Sequence, residues 1–79
     1  MKTGVYQHFK GGFYIVSCVA KHTETKEEMV IYYNDSGEVF ARPITMFLEE
    51  MNEERHVGPR FTLIKPMEFY RISTSELLK

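Results

Sequence analysis

Seven side chains, His8, Lys10, His22, Glu24, Tyr32, Phe40 and Arg42, are of types that could bind or transform a ligand. His22 and Glu24 stand two residues apart. They have the chemistry of a general base and its orienting carboxylate. In the competing reading, Glu24 and Thr25 organise a polar loop and His22 bonds the backbone. Arg42 has a planar guanidinium that can grip a phosphate or carboxylate through two parallel hydrogen bonds. It could equally pair with Glu49 or Glu24 and hold a strand-to-helix junction. Lys10 precedes Gly11-Gly12, so it offers an exposed cation at a turn.

Other chemistries lack their residues. A metal centre would require His8, His22 and Glu24 or His56 to converge, and no Cys-x-x-Cys or His-Glu-x-x-His is present. No metal and no cofactor is expected. Cys18 lies within an apolar run and reads as a packing residue rather than a nucleophile. Gly11-Gly12 is too short to cradle a phosphate, and no Ser-His-Asp arrangement is visible. No residue is assigned a catalytic role.

The elements that must carry these side chains follow from periodicity and turn chemistry. Val5 to Phe9 reads as a short strand with Tyr6 and His8 on one face. Gly11-Gly12 supplies the positive φ of a tight hairpin. Phe13 to Ala20 is apolar on both faces apart from Ser17, the pattern of a central strand buried on both sides. Its even-numbered face, Tyr14, Val16, Cys18 and Ala20, leads on to His22. A polar connection ends at Glu28, and Met29 to Tyr33 resumes β-branched and aromatic residues. Asn34-Asp35-Ser36-Gly37 is a hairpin turn. In the return strand Glu38, Phe40 and Arg42 share a face.

Pro43 then changes the period. Ile44, Phe47, Leu48 and Met51 form the apolar stripe of a short helix. Pro43 suits its first turn, and acid late in the helix opposes its dipole, so fraying is expected after Glu50. Val57-Gly58-Pro59 reads as a turn before a strand that buries Phe61 and Leu63. Residues 68–72 could form an edge strand, with a brief capped helix after them. The result is a mainly β chain, a small SH3-like partly open barrel of five or six strands with one short helix. It divides into a single domain over residues 1–66 and an edge strand or tail over 67–79.

Composition is consistent with this. Seventy-nine residues suffice for one core, and 43% hydrophobic with 14% aromatic content suits a folded domain. The formal net charge is −1. Residues 1–23 nevertheless carry three lysines and no carboxylate, and residues 55–67 carry Arg55, Arg60 and Lys65 and no carboxylate. If the two stretches are neighbours in space, they merge into one basic patch. No apolar run approaches the ~20 residues of a membrane helix, and the first residues lack the apolar core of a secretory signal. A lone cysteine cannot form an internal disulfide, so a cytoplasmic location is expected.

Three stretches carry a family resemblance: Tyr6-Gln7-His8-Phe9-Lys10-Gly11, then Ala20-Lys21-His22-Thr23-Glu24-Thr25-Lys26-Glu27, then Arg42-Pro43-Ile44-Thr45-Met46-Phe47-Leu48-Glu49. In order and spacing they resemble the bacterial family known as domain of unknown function 1653, from about Tyr6 to Phe61. Phe40-Ala41 stands where members usually have Trp-Val, and the turn from Asn34 to Gly37 is short. The resemblance implies one compact β-rich domain and marks His8, Lys10, His22, Glu24, Thr25, Tyr32 and Arg42. It implies no reaction.

The function expected from these residues is a non-catalytic binding module for an anionic ligand, either single-stranded nucleic acid or an acidic peptide. Aromatic side chains beside Lys10, Lys21, Arg42 and Arg60 favour nucleic acid. The alternatives are a small enzyme, or an accessory to one, using His22 and Glu24 on a nucleotide-like ligand, and a protein-interaction domain pairing through a strand edge. No membrane partner is expected.

Overall fold

The computed structural model describes residues 1–67. Seven strands and one helical turn follow in chain order: β1 (Gly4–His8), β2 (Phe13–Lys21), β3 (Glu28–Tyr33), β4 (Val39–Pro43), α1 (Ile44–Phe47), β5 (Glu50–Glu53), β6 (His56–Pro59) and β7 (Phe61–Pro66). Five of them form an antiparallel sheet in the order β4-β3-β2-β1-β7, and β5 and β6 pair as a separate hairpin. The mainly β architecture with one short helix is the one the residue pattern predicts. Among the described residues the strands number seven rather than five or six, and the larger sheet is open, with β4 and β7 at its opposite edges.

Local chemistry accounts for the hairpins. Gly11 and Gly12 take φ values of 97° and 77°, which a side chain would strain. Their turn closes where the His8 amide donates to the Gly12 carbonyl at 3.0 Å. Between β3 and β4, the Asn34 carboxamide oxygen accepts from the amides of Ser36 and Glu38 at 3.1 and 2.9 Å, a side chain replacing a turn of backbone.

The core lies on one face of the sheet. Tyr6, Val16, Val30, Tyr32, Phe47 and Phe61 are buried, with Tyr14, Phe40, Ile44 and Leu63 packed against them. Phe47 reaches down from α1 and stacks on Phe61, with ring centroids 4.1 Å apart and planes 3° from parallel. In a flat sheet, β3 and β7 would lie about 14 Å apart, three strand spacings. Yet the Tyr32 ring, on β3, lies 5.7 Å from that of Phe61, on the far edge strand β7. The sheet therefore curls strongly around its aromatic contents.

Four sequence expectations change. The helix ends at Phe47 rather than running to Met51, and β5 begins at Glu50. Acid at Glu49, Glu50, Glu53 and Glu54 would sit at the unfavourable end of a longer helix, and Glu50 to Glu53 pair with β6 instead. Val57-Gly58-Pro59 belongs to strand β6, and the chain turns earlier, at Glu54-Arg55.

Cys18 is exposed rather than packed. The cause is a β-bulge at Ser17: Val16 pairs with Tyr32, but Cys18 pairs with Ile31. One extra residue reverses the alternation of β2. Cys18 and Ala20 thus leave the face of Tyr14 and Val16, and Val19 takes their place opposite Val30. The Ser17 hydroxyl donates to the Ile31 carbonyl at 3.2 Å across the bulge. Fourth, the second half of β2 is exposed rather than buried on both sides.

The expected edge strand at 68–72 and the helix after it lie outside the described residues. Among the described residues no helix is long and apolar enough to cross a membrane.

Candidate functional site

Cross-strand pairing puts His8 opposite Phe61 and Arg42 opposite Val30, all on the concave face. Arg42 is the penultimate residue of β4, the opposite edge strand from β7. The curl of the sheet brings its guanidinium over the Phe61 ring, 5.7 Å from the centroid. Its Nη1 is buried and has no hydrogen-bond partner among the described residues. Leaving such a donor unpaired costs about 1–3 kcal/mol.

A second arginine stands nearby. The backbone of Arg60 is tied on both sides: its amide donates to the Glu49 carbonyl, and its carbonyl accepts from the Phe9 amide, each at 2.9 Å. The Arg60 Nη2 donates to the Glu49 carboxylate at 2.9 Å, which fixes the guanidinium plane. Its Nε is buried and unpaired among the described residues. The predicted pairing of Arg42 with Glu49 or Glu24 is not the one formed: Glu49 takes Arg60.

His8 packs against the same Phe61 ring that Arg42 covers. Its ring packs edge-on to Phe61 at 4.9 Å and lies 4.6 Å from Phe9. Nδ1 accepts from the Lys10 amide at 3.1 Å, so the neutral ring carries its proton on Nε2. The imidazole pKa is lowered, first by burial and then by the positive charges of Arg42, Arg60 and Lys10. The Lys10 ammonium lies over the Phe9 ring at 5.6 Å.

Of the residues singled out from sequence, His8 and Arg42 therefore meet at the Phe61 ring, Lys10 lies over the adjacent Phe9, and Phe40 packs against Tyr14. Tyr32 is among them as packing, buried and 5.5 Å from Phe40. His22 and Glu24 are not. They lie past the far end of β2, whose nine residues extend about 26 Å. There the His22 Nδ1 accepts from the amides of Glu24 and Thr25, both at 3.2 Å. Glu24 accepts from the Thr23 hydroxyl at 2.7 Å, and Thr25 receives the Glu27 amide at 3.2 Å. The ring nitrogen a base would need is engaged in holding the loop.

Sequence reasoning counted Arg60 among the cations of a nucleic-acid surface but not among the ligand-binding residues, and it missed Phe61. The signal was the second carboxylate-free stretch, and the pairing of β1 with β7 brings it beside the first. Among the described residues no group of three or more His, Cys, Asp or Glu side chains could hold a metal ion. Cations beside aromatic rings suit recognition of an anion.

The model of the family described as "Protein of unknown function (DUF1653)" matches residues 4–63. The crystal structure of a DUF1653 protein from Bordetella bronchiseptica superimposes with a TM-score of 0.74 at 27% sequence identity, covering 89% of this chain and 95% of that one. No curated protein matches the chain. The matched span takes in every strand from β1 to β6 and the first half of β7, with both arginines of the site; the chain belongs to the DUF1653 family.

Proposed function

We propose that this protein is a non-catalytic binding module for an anionic ligand, and that the ligand is single-stranded nucleic acid. The observation that carries the reading is the Arg42 guanidinium lying over the Phe61 ring, against which His8 also packs, with Lys10 over the neighbouring Phe9. Cations beside aromatic rings suit a phosphate with an unstacked base next to it. The Glu24 carboxylate does approach the His22 Nδ1 at 3.4 Å, but that nitrogen already accepts two amides of its own loop and both side chains are exposed, which weighs against the acid–base reading. An exposed, unpaired Cys18 suits a reducing compartment, and we infer a bacterial cytosolic location.

The test is an amide NMR titration with short mixed-sequence single-stranded RNA, at low and then moderate salt. Shifts at Lys10, Arg42, Arg60 and Phe61 that weaken with salt are expected. An unperturbed spectrum at low salt, or shifts confined to the loop of His22, overturns the reading.

A further inference from the structure

The β5–β6 hairpin meets the turn after β1 at a cleft. Glu53 and His56 are the closing pair of the hairpin, opposite one another with Glu54 and Arg55 as the turn between them. Side chains paired in this way share a face, with Cβ atoms about 5 Å apart. The His56 ring stacks on Phe9, with centroids 5.1 Å apart and planes 25° from parallel. Its Nε2 donates to the Pro59 carbonyl at 3.1 Å, which fixes the ring. Phe9, Lys10, Glu53, Arg55 and His56 together line a space of about 430 Å³.

The cleft offers charges of both signs. Lys10 and Arg55 are exposed cations and Glu53 is an exposed carboxylate. None of the three is in an ion pair among the described residues, where the pairs are His22 with Glu24 and Arg60 with Glu49. A plain polyanion such as an acidic peptide would be drawn to the two cations and repelled by Glu53. A nucleotide has a partner for each group: its phosphates for the cations, its ring for the aromatic wall, and an amino group on its base for the carboxylate. Cytosine presents that amino group at N4, from which a carboxylate accepts. Uracil has a carbonyl in the same place, which a carboxylate repels.

The cleft is also continuous with the surface at Phe61. Phe9 lies 4.6 Å from the His8 ring, and His8 lies 4.9 Å from Phe61, whose face Arg42 covers. Rings and cations thus alternate from β4 to the hairpin, as in proteins that bind single strands.

Resting on the nucleic-acid reading, we propose that this cleft is a nucleotide subsite that selects the base. The base packs against Phe9 and His56, Lys10 and Arg55 take the phosphates beside it, and Glu53 accepts from its exocyclic amino group. Cytosine is therefore preferred over uracil.

The test compares short oligocytidylate and oligouridylate of equal length, by fluorescence anisotropy on the full chain over a range of salt. Oligocytidylate should bind about fivefold or more tighter. Glu53→Gln should erase that ratio by raising the affinity for oligouridylate. Arg55→Gln should weaken both RNAs alike and flatten the slope of log affinity against log salt by about 0.7, the loss of one phosphate contact. Both positions are exposed, and amide spectra of the variants report the fold. Equal binding of the two RNAs, or a preference that survives Glu53→Gln, overturns the selection by Glu53. Parent affinity and salt slope in Arg55→Gln take the strand out of the cleft and leave the reading at Arg42 and Phe61 standing. Binding of neither RNA overturns the nucleic-acid reading as well.

Discussion

The guanidinium of Arg42, on one edge strand of the sheet, lies 5.7 Å from the ring centroid of Phe61, on the opposite edge strand. Such a cation–π contact contributes about 0.5–2 kcal/mol. Against it stands the unpaired Nη1, a cost of about 1–3 kcal/mol. Replacing Arg42 by methionine removes both while keeping most of the side-chain volume. Arg42→Met should therefore leave stability within about 1 kcal/mol of the parent in urea unfolding and abolish RNA-induced NMR shifts. A loss of more than about 3 kcal/mol would identify Arg42 as a structural anchor, in the range expected for a broken buried charge network.

His8 makes stability depend on pH. Its folded pKa lies below the ordinary value of 6.5 through burial and the charges of Arg42, Arg60 and Lys10. Between the folded value and 6.5 the unfolded chain binds more protons, so stability rises with pH in that window. The contribution is complete above 6.5 and is lost as pH falls through the folded pKa. Urea midpoints measured above and below 6.5 should drop on the acid side by less in His8→Gln than in the parent. Parallel curves for the two proteins would remove His8 as the source.

Cys18 tests the bulge at Ser17. Since that bulge turns the thiol outward, a maleimide should label it in the native protein at nearly the rate seen in urea. Labelling slowed a hundredfold or more under native conditions, on the order of what about 2.7 kcal/mol of protection gives, would mean that the thiol is covered.

Gly4 tests how closely β1 and β7 approach. It has φ of +140°, and a Cβ there would overlap the Lys65 carbonyl oxygen and come within 2.9 Å of the Met67 nitrogen. Gly4→Ala should lower stability by about 2–3 kcal/mol, combining backbone strain with a forced strand separation. The midpoint of urea unfolding should fall with its slope unchanged. An unchanged midpoint would show that β7 moves aside without cost.

His22→Ala separates loop architecture from ligand chemistry. The Nδ1 of His22 accepts from two amides of its own loop, so the variant should expose the amides of Glu24 and Thr25 to faster hydrogen exchange. RNA affinity should be unchanged. A loss of affinity would tie the far hairpin to the site.

Much of this molecule was legible in the order of its residues. Gly11-Gly12 and Asn34 to Gly37 announce their hairpins because turn geometry is settled by bonds within a few residues. Alternation put Tyr6 with His8, Phe40 with Arg42 and Phe61 with Leu63, and each pair lies on the concave face. The short reach of α1 and the turn at Glu54-Arg55 escaped it, since the pairing of β5 with β6 competes with helix in a segment suited to either. The face of Cys18 escaped it too, because a bulge is defined against the partner strand β3 and one inserted residue inverts everything beyond it. The meeting of Arg42 with Phe61 and its partner His8 depends on curvature accumulated over five strands. That curvature comes from aromatic packing between distant strands, a property of their contacts and not of any one stretch of chain.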